Sequence, residues 1–281
     1  MSGPNVNTIF VSTASELSTM LISIAMQPTS PPSLYIDLEG LNLSRYGTLS
    51  LITLLIAPTS TVYIIDIHIM GVSAFTTPAS TSAISHTNSS TTLQSILESA
   101  TIPKVFFDVR NDSDALFAHY HINLQGIQDL QLMQLATCSS GNRRTVNGLT
   151  RCIEKDLQLP QAQFVSWKNV KDTVAKLFDQ HSTLGRGVFN ERPLRDIVKK
   201  YCVQDVLHMP QLWRTYNRRM TEFWREMVER ATTGRIQESQ SANYEPHGRH
   251  KVLGPWTNTE IAREEKGWNE RRKRGIKLEV N

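Results

Sequence analysis

The 281-residue chain contains only three cysteines, too widely spread to form a structural framework. Cys138, Cys152 and Cys202 are odd in number and lack the paired spacing of zinc ligands. A disulfide-bonded secreted scaffold and a zinc-finger protein are therefore excluded. Separated thiols of this kind are typical of proteins from a reducing compartment.

Basic residues are missing from the start of the chain, where Arg45 is the first. A secretory signal needs a basic segment before its apolar core, and a mitochondrial presequence needs arginines. Long apolar runs are missing too, since residues 49–57 form the longest one, about half the length of a membrane-spanning helix. We therefore expect an intracellular protein, cytoplasmic or nuclear, that is neither secreted nor mitochondrial and does not associate with membranes.

Net charge is low over most of the chain. The 30 basic and 26 acidic residues give +4, and 40% of the residues are hydrophobic, as in an ordinary globular protein. Residues 1–217 hold as many acidic as basic side chains, so the excess lies entirely after residue 217. A strongly cationic protein that coats DNA is excluded, whereas an enzyme with a local nucleic-acid surface is not.

The residue pattern predicts strands in the first half of the chain and helices in the second. Thr13 and Glu16 have capping-box spacing and predict the start of the first helix. We predict strands over residues 34–39, 49–57, 61–67 and 105–109, and helices over residues 14–26, 93–99, 115–120, 128–136, 149–157 and from Pro193 onward. Residues 71–92, rich in Ser and Thr, are interpreted as a long surface loop. This order predicts one α/β domain, a sheet covered by helices, followed by a charged, poorly ordered tail over residues 231–281.

Two carboxylates on the first predicted strand provide the first chemical signal. Asp37 and Glu39 are two residues apart, so they point to the same face of the strand. Two solvated acids would be the ordinary interpretation, and a bound cation is the alternative. A second signal lies on a late predicted helix, where Tyr201 and Asp205 share a face one turn apart. Taken alone, Asp205 is interpreted as a boundary residue paired with Arg or Lys, and a metal ligand is the alternative. A third is the cluster Asp108, Asp112 and Asp114, which follows a buried strand and is expected to supply at least one helix cap.

These motifs, in this order, resemble the DEDDy branch of the DEDD 3′–5′ exonucleases, the RNase D-like group. The resemblance extends from about residue 34 to residue 216 and includes residues 129–136 and Arg192-Pro193-Leu194. It implies a ribonuclease H-like fold, with a mixed sheet flanked by helices, in a single catalytic domain over residues 1–230. It also implies a metal-dependent enzyme that hydrolyses RNA or DNA from a single-stranded 3′ end.

The resemblance assigns a role to each acidic residue of the motifs. Asp37, Glu39 and Asp205 would hold the ion that activates water, and Asp37 would bridge to a second ion that Asp112 reaches. Tyr201 would orient the attacking water. Both ions would be Mg²⁺ or Mn²⁺, because oxygen ligands favour these hard cations.

The third motif leaves alternatives open. Asp112 has Asp108 four residues before it and Leu116 four residues after it, which fits the family spacing. We favour Asp112 as the metal ligand, keep Asp108 as its alternative or as a supporting residue, and interpret Asp114 as a helix cap.

Other polar groups are weaker candidates. His119 and His121 are interpreted as surface residues, and Arg186 is a possible contact for a substrate phosphate. Residues 271–274, a basic run, are interpreted either as a nuclear-localisation or RNA-binding patch or as a solvated tail. Three lysines either line a path for nucleic acid or form a solvated helix face. They are Lys168, Lys171 and Lys176. A catalytically weak or inactive adaptor on the same fold, binding nucleic acid or protein, remains the alternative function.

Overall fold

A mixed six-stranded sheet lies at the centre of the computed structural model, which describes residues 6–80, 91–138, 141, 143–179, 187–273 and 275. The strands are β1 (Asn7–Val11), β2 (Leu34–Glu39), β3 (Leu51–Ile56), β4 (Thr61–Asp66), β5 (Lys104–Phe106) and β6 (Ile127–Asp129). Their order across the sheet is β1-β4-β3-β2-β5-β6. Strands β2, β3 and β4 are antiparallel neighbours, whereas the pairs β1 with β4, β2 with β5, and β5 with β6 are parallel.

Helices cover both faces of this sheet. The described helices are α1 (Ala14–Ala25), α2 (Ile67–Met70), α3 (Ser73–Thr76), α4 (Leu93–Leu97), α5 (Arg110–Tyr120), α6 (Leu130–Thr137), α7 (Leu149–Asp156), α8 (Gln161–Asp179), α9 (Asp196–Leu207), α10 (Met209–Arg219), α11 (Glu222–Gln240) and α12 (Asn258–Lys273). The predicted capping box at Thr13 is present at the start of α1. This architecture confirms the predicted mixed sheet flanked by helices.

Two hydrophobic cores lie on opposite faces of the sheet. Tyr35 of β2 packs in a core shared with α6, α7, α9 and α10. Ile36 and Leu38, which alternate with it, pack in the other core together with α1 and α4. Because side chains alternate along a strand, β2 directs its odd-numbered residues toward the face that carries α9.

The short edge strands were missed by the sequence analysis. β1 has five residues and β6 only three, which is too short for an alternating pattern to be recognised. The helix predicted over residues 128–136 therefore begins later, at Leu130, because Ile127–Asp129 pairs with β5. The antiparallel pairing predicted for the strands around residues 49–57 and 61–67 is confirmed by β3 and β4.

Two other boundaries differ from the prediction. α9 begins at Asp196, three residues after Pro193, which follows a cis peptide bond. The segment predicted as a long loop contains α3, where Phe75 is buried because it packs into the core on the α1 side of the sheet. Residues 81–90 of that segment lie outside the described residues.

Much of the segment after residue 230 packs on the rest of the domain, unlike the poorly ordered tail that the composition predicted. α11 crosses residue 230 without a break and packs against α5. Arg235, Tyr244 and Trp256 are buried. The predicted domain boundary at residue 230 therefore falls inside a helix. The segment beyond it is rich in charged residues, yet some of its side chains are buried against the rest of the domain.

The described residues also bear on the expectations drawn from composition. All three cysteines are described, and Cys152 and Cys202 are buried. None of the described helices combines the length and apolarity needed to cross a membrane.

Candidate active site

The carboxyl-terminal end of β2 presents Asp37 and Glu39 on the face that carries α9. Both side chains are half-buried, whereas Leu38 between them is buried on the opposite face. The strand ends at Gly40, where a Cβ atom would lie 1.8 Å from the carbonyl oxygen of Thr48. Only glycine permits the returning chain to approach this closely, so the two acids lie directly beside a tight turn.

α9 brings Tyr201 and Asp205 to the same place. This helix packs against β2 and β3. Tyr201 and Asp205 share one face of it because they are four residues apart, and the charges of Glu39 and Asp37 act on Tyr201. The chain before α9 is fixed by Arg192, whose guanidinium donates two hydrogen bonds of 2.5 Å to Asp66 at the end of β4. The Arg192-Pro193-Leu194 segment thus fixes the start of α9 relative to the sheet.

Three carboxylates converge between β2 and α9. Each of Asp37, Glu39 and Asp205 contributes one carboxylate oxygen, and these three oxygens lie within 4.8 Å of one another. Burial, followed by repulsion from Asp205, raises the pKa of Asp37 to about 7, and burial with repulsion from Asp37 raises the pKa of Glu39 well above its usual value. Burial also raises the pKa of Asp205. This oxygen-only donor set with its concentrated negative charge fits a hard divalent cation.

The Tyr201 hydroxyl lies among these acids. The negative charge of Glu39, and then burial, raise the pKa of Tyr201 far above its usual value. The phenol therefore stays protonated at neutral pH and hydrogen-bonds to Asp205. A neutral donor beside three carboxylates can orient a polar group bound between them.

Asp112 lies in the first turn of α5 and is 7% exposed. Burial, with repulsion from Asp37 as the next cause, raises its pKa well above the usual value. Asp112 is thus close enough to Asp37 for their charges to interact, but it lies outside the group of three carboxylates.

The other two aspartates of the third motif have different partners. Asp108 follows β5 with a φ of 61° and accepts hydrogen bonds of 2.6 and 2.8 Å from Arg110. The interpretation of Asp114 as a helix cap is wrong, because Val109 is the N-cap residue of α5. Asp114 is instead buried and accepts hydrogen bonds from the backbone N–H and the Nε of Arg45, at 2.8 and 2.6 Å.

Lys171 is a site residue that sequence reasoning did not identify as one. Its Nζ lies 2.5 Å from Asp205 Oδ1, so the interpretation of this lysine as part of a solvated helix face is wrong. Its neighbours Lys168 and Lys176 are exposed, as that interpretation requires. Spacing alone could not separate Lys171 from them, and neither could an aromatic residue four positions earlier, because Phe164 precedes Lys168 as Trp167 precedes Lys171.

Asp129 and Arg235 form a second feature that the sequence analysis missed. Asp129 is fully buried, caps the start of α6 and accepts a 2.7 Å hydrogen bond from Arg235 Nη1. It also accepts the backbone N–H groups of Asp108 and Val109. A buried ion pair therefore supports the turn that leads into α5 and Asp112.

The weaker candidates that the structure describes have surroundings of their own. His119 and His121 are exposed, as expected. Arg186 lies outside the described residues, as does the last arginine of the basic run 271–274. Within that run Arg271 and Arg272 lie 3.7 and 3.6 Å from Glu226 and Glu222 of α11, so they contribute to packing of α12 on α11.

Comparisons with known proteins agree with this geometry. Residues 9–220 match the family model described as a 3′-5′ exonuclease. No curated protein matches the chain significantly.

Solved structures with the same fold include two from Trypanosoma brucei. RNase D in complex with RNA U12 is 18% identical with a TM-score of 0.65, and the match covers 92% of this chain and 79% of that one. The catalytic core of RRP6 is 13% identical with a TM-score of 0.57, covering 99% of this chain and 61% of that one. Similarity at this level of identity establishes the fold alone.

Proposed function

The chain belongs to the 3′–5′ exonuclease domain family, and from this premise we propose that it removes nucleotides from the 3′ end of single-stranded RNA or DNA by a two-metal mechanism. One observation carries the proposal: the acids of three separate motifs converge on one half-buried site. Asp37, Glu39 and Asp205 form its centre, and Asp112 lies beside it. The proposed catalytic domain holds all of these motifs and includes α11, which crosses the boundary predicted at residue 230 and packs against α5.

Each acid has a proposed role in holding metal ions. Asp37, Glu39 and Asp205 would bind the first ion, and Asp37 and Asp112 the second. Asp108 is the weaker alternative to Asp112, because both of its carboxylate oxygens accept hydrogen bonds from Arg110. Two bound Mg²⁺ or Mn²⁺ ions would supply a hydroxide nucleophile and stabilise charge on the leaving oxygen.

Tyr201 is proposed to orient the attacking water. Its hydroxyl is kept neutral by the surrounding carboxylates, so it donates a hydrogen bond without competing for a cation. That proton is donated to Asp205, so the phenolic oxygen would orient the water by accepting a hydrogen bond from it. This role requires only positioning, since a metal-bound water needs no separate histidine base.

The proposed substrate is a single-stranded 3′ end. Residues 1–217 carry no net charge, so two bound divalent ions would offset the charge of the four site carboxylates and give this part of the chain a positive net charge where substrate phosphates approach. One structural neighbour, an RNase D, was solved with RNA and also with GMP, which supports nucleic acid as the ligand class.

A metal-controlled cleavage assay tests the proposal. Wild-type protein and the variants Asp37→Asn and Asp205→Asn are incubated with single-stranded RNA and, in parallel, DNA, in Mg²⁺, Mn²⁺ or EDTA. We expect shortening of at least one substrate with metal, none with EDTA, and a loss of at least about 100-fold in either variant. Binding without any shortening would instead support the inactive adaptor.

A further inference from the structure

A lysine ammonium occupies the edge of the carboxylate cluster. Lys171 Nζ lies 2.5 Å from Asp205 Oδ1, and the two side chains are 21% and 6% exposed. Lys171 comes from α8, whereas all three carboxylates come from β2 and α9. The positive charge is thus delivered by a separate element that packs against α9.

Aromatic rings hold the ammonium in this position. Lys171 Nζ lies 5.3 Å from the centroid of the Trp167 ring and 5.0 Å from that of Tyr201, within the range of cation–π attraction. Trp167 is itself buried and donates a hydrogen bond from Nε1 to the carbonyl oxygen of Gln204. The lysine is therefore built into the α8–α9 interface, unlike exposed Lys168 on the same helix.

The ammonium and a metal ion would compete for Asp205. A divalent ion bound to a carboxylate approaches its oxygen to about 2.1 Å, and Asp205 Oδ1 already contacts Lys171. Two cations within a few ångströms of each other in a half-buried site repel strongly. Repulsion therefore favours movement of Lys171 away from Asp205 when the first ion binds.

We propose that Lys171 is a built-in competitor for the first metal ion. It neutralises part of the acidic cluster when metal is absent and leaves Asp205 when metal binds, so it lowers the apparent metal affinity and couples metal binding to α8. This inference rests on the proposed function, because it concerns the same metal site.

Calorimetric titration with Mn²⁺ tests the competition. We expect Lys171→Met to bind the ion at least about tenfold more tightly than wild type, because no ammonium has to be displaced. Lys168→Met is the matched control, since it removes the same charge from the same helix at an exposed position. Unchanged or weaker binding by Lys171→Met, or an equal gain in Lys168→Met, would overturn the proposal.

A measurement on the wild-type protein is independent of whether the variant folds. The protein is treated with an amine-modifying reagent with and without Mg²⁺, and mass spectrometry measures how far each lysine has reacted. We expect Lys171 to be protected without metal and to become reactive when metal is added, while Lys168 reacts equally in both conditions. Lys171 reactivity that stays constant or falls on adding metal would contradict displacement.

These readouts separate the inference from the proposed function. If metal binds and displaces Lys171 but no oligonucleotide is shortened, the nuclease proposal fails and the competition stands. If oligonucleotides are shortened but Lys171→Met binds metal as wild type does, only the competition fails.

Discussion

The three aspartates of the third motif differ in their surroundings. Asp108 and Asp114 each accept two hydrogen bonds from an arginine, and Asp112 faces Asp37. A carboxylate that accepts two hydrogen bonds from an arginine contributes to folding, whereas one that lies near another acid is available for a cation. The sequence offered the three residues as alternatives, because hydrogen-bond partners from distant segments are not readable from local spacing.

The first prediction separates these roles by substitution. Asp112→Asn is expected to lower turnover by about 100-fold or more while leaving stability unchanged or higher, since it removes repulsion from Asp37. Asp114→Asn is expected to destabilise the protein by about 1–3 kcal/mol, because Arg45 loses its charged partner. Turnover and urea denaturation are measured on both proteins.

Asp108→Asn serves as the second comparison and is expected to behave like Asp114→Asn. Loss of turnover in Asp108→Asn at unchanged stability, with turnover retained in Asp112→Asn, would assign the metal ligand to Asp108 instead.

The second prediction concerns pH in the absence of metal. The pKa of Asp37 is about 7 in the folded protein, against an ordinary value of 3.8. Between these two pH values the folded state keeps a proton on Asp37 that the unfolded state has already lost. This contribution to stability is complete below the ordinary pKa and is lost as the pH rises through about 7. In EDTA, the melting temperature of wild type should fall relative to Asp37→Asn between these two values.

Thermal scans of the two proteins over this pH range measure the effect, and excess Mg²⁺ is the control because it binds the ionised form. A difference between the two proteins that stays constant with pH would contradict the raised pKa of Asp37.

Among the elements, β2 was predictable and α11 was not. The alternation of Asp37 and Glu39 with Ile36 and Leu38 identified both the strand and its functional face. The sequence of α11 is mostly polar and gives no sign that Arg235 is buried. Its partner Asp129 lies more than a hundred residues away in the chain. Patterns within one element reveal its own faces, whereas a long-range ion pair needs the folded chain.

The third prediction tests this contact. Arg235→Met leaves Asp129 buried without its charged partner and should cost about 3 kcal/mol of unfolding free energy. Arg230→Met, on the same helix, removes an arginine that is 56% exposed and pairs with Glu264, so its cost should stay below about 1 kcal/mol. Denaturant titration compares them, and equal costs would show that α11 contributes no buried ion pair.

At the scale of the whole molecule, the order of motifs along the chain was sufficient to predict the fold. Asp37, Asp112 and Asp205 are far apart in sequence. The mixed sheet and its covering helices bring them together near the carboxyl-terminal end of β2. What the sequence could not supply was the position of Lys171, which depends on how α8 packs. In the proposed function several acids of residues 1–217 bind cations, so the near-neutral formal charge of this region would understate its attraction for nucleic acid.

The most direct test of the central claim is the polarity of cleavage on a single-stranded oligonucleotide labelled at either end, in Mg²⁺ or Mn²⁺. With a 5′ label we predict a ladder of progressively shorter labelled products, and with a 3′ label the immediate release of labelled mononucleotide. Asp37→Asn should produce neither pattern. The reverse polarity, internal fragments from both labels, or an unchanged ladder from Asp37→Asn would contradict the account.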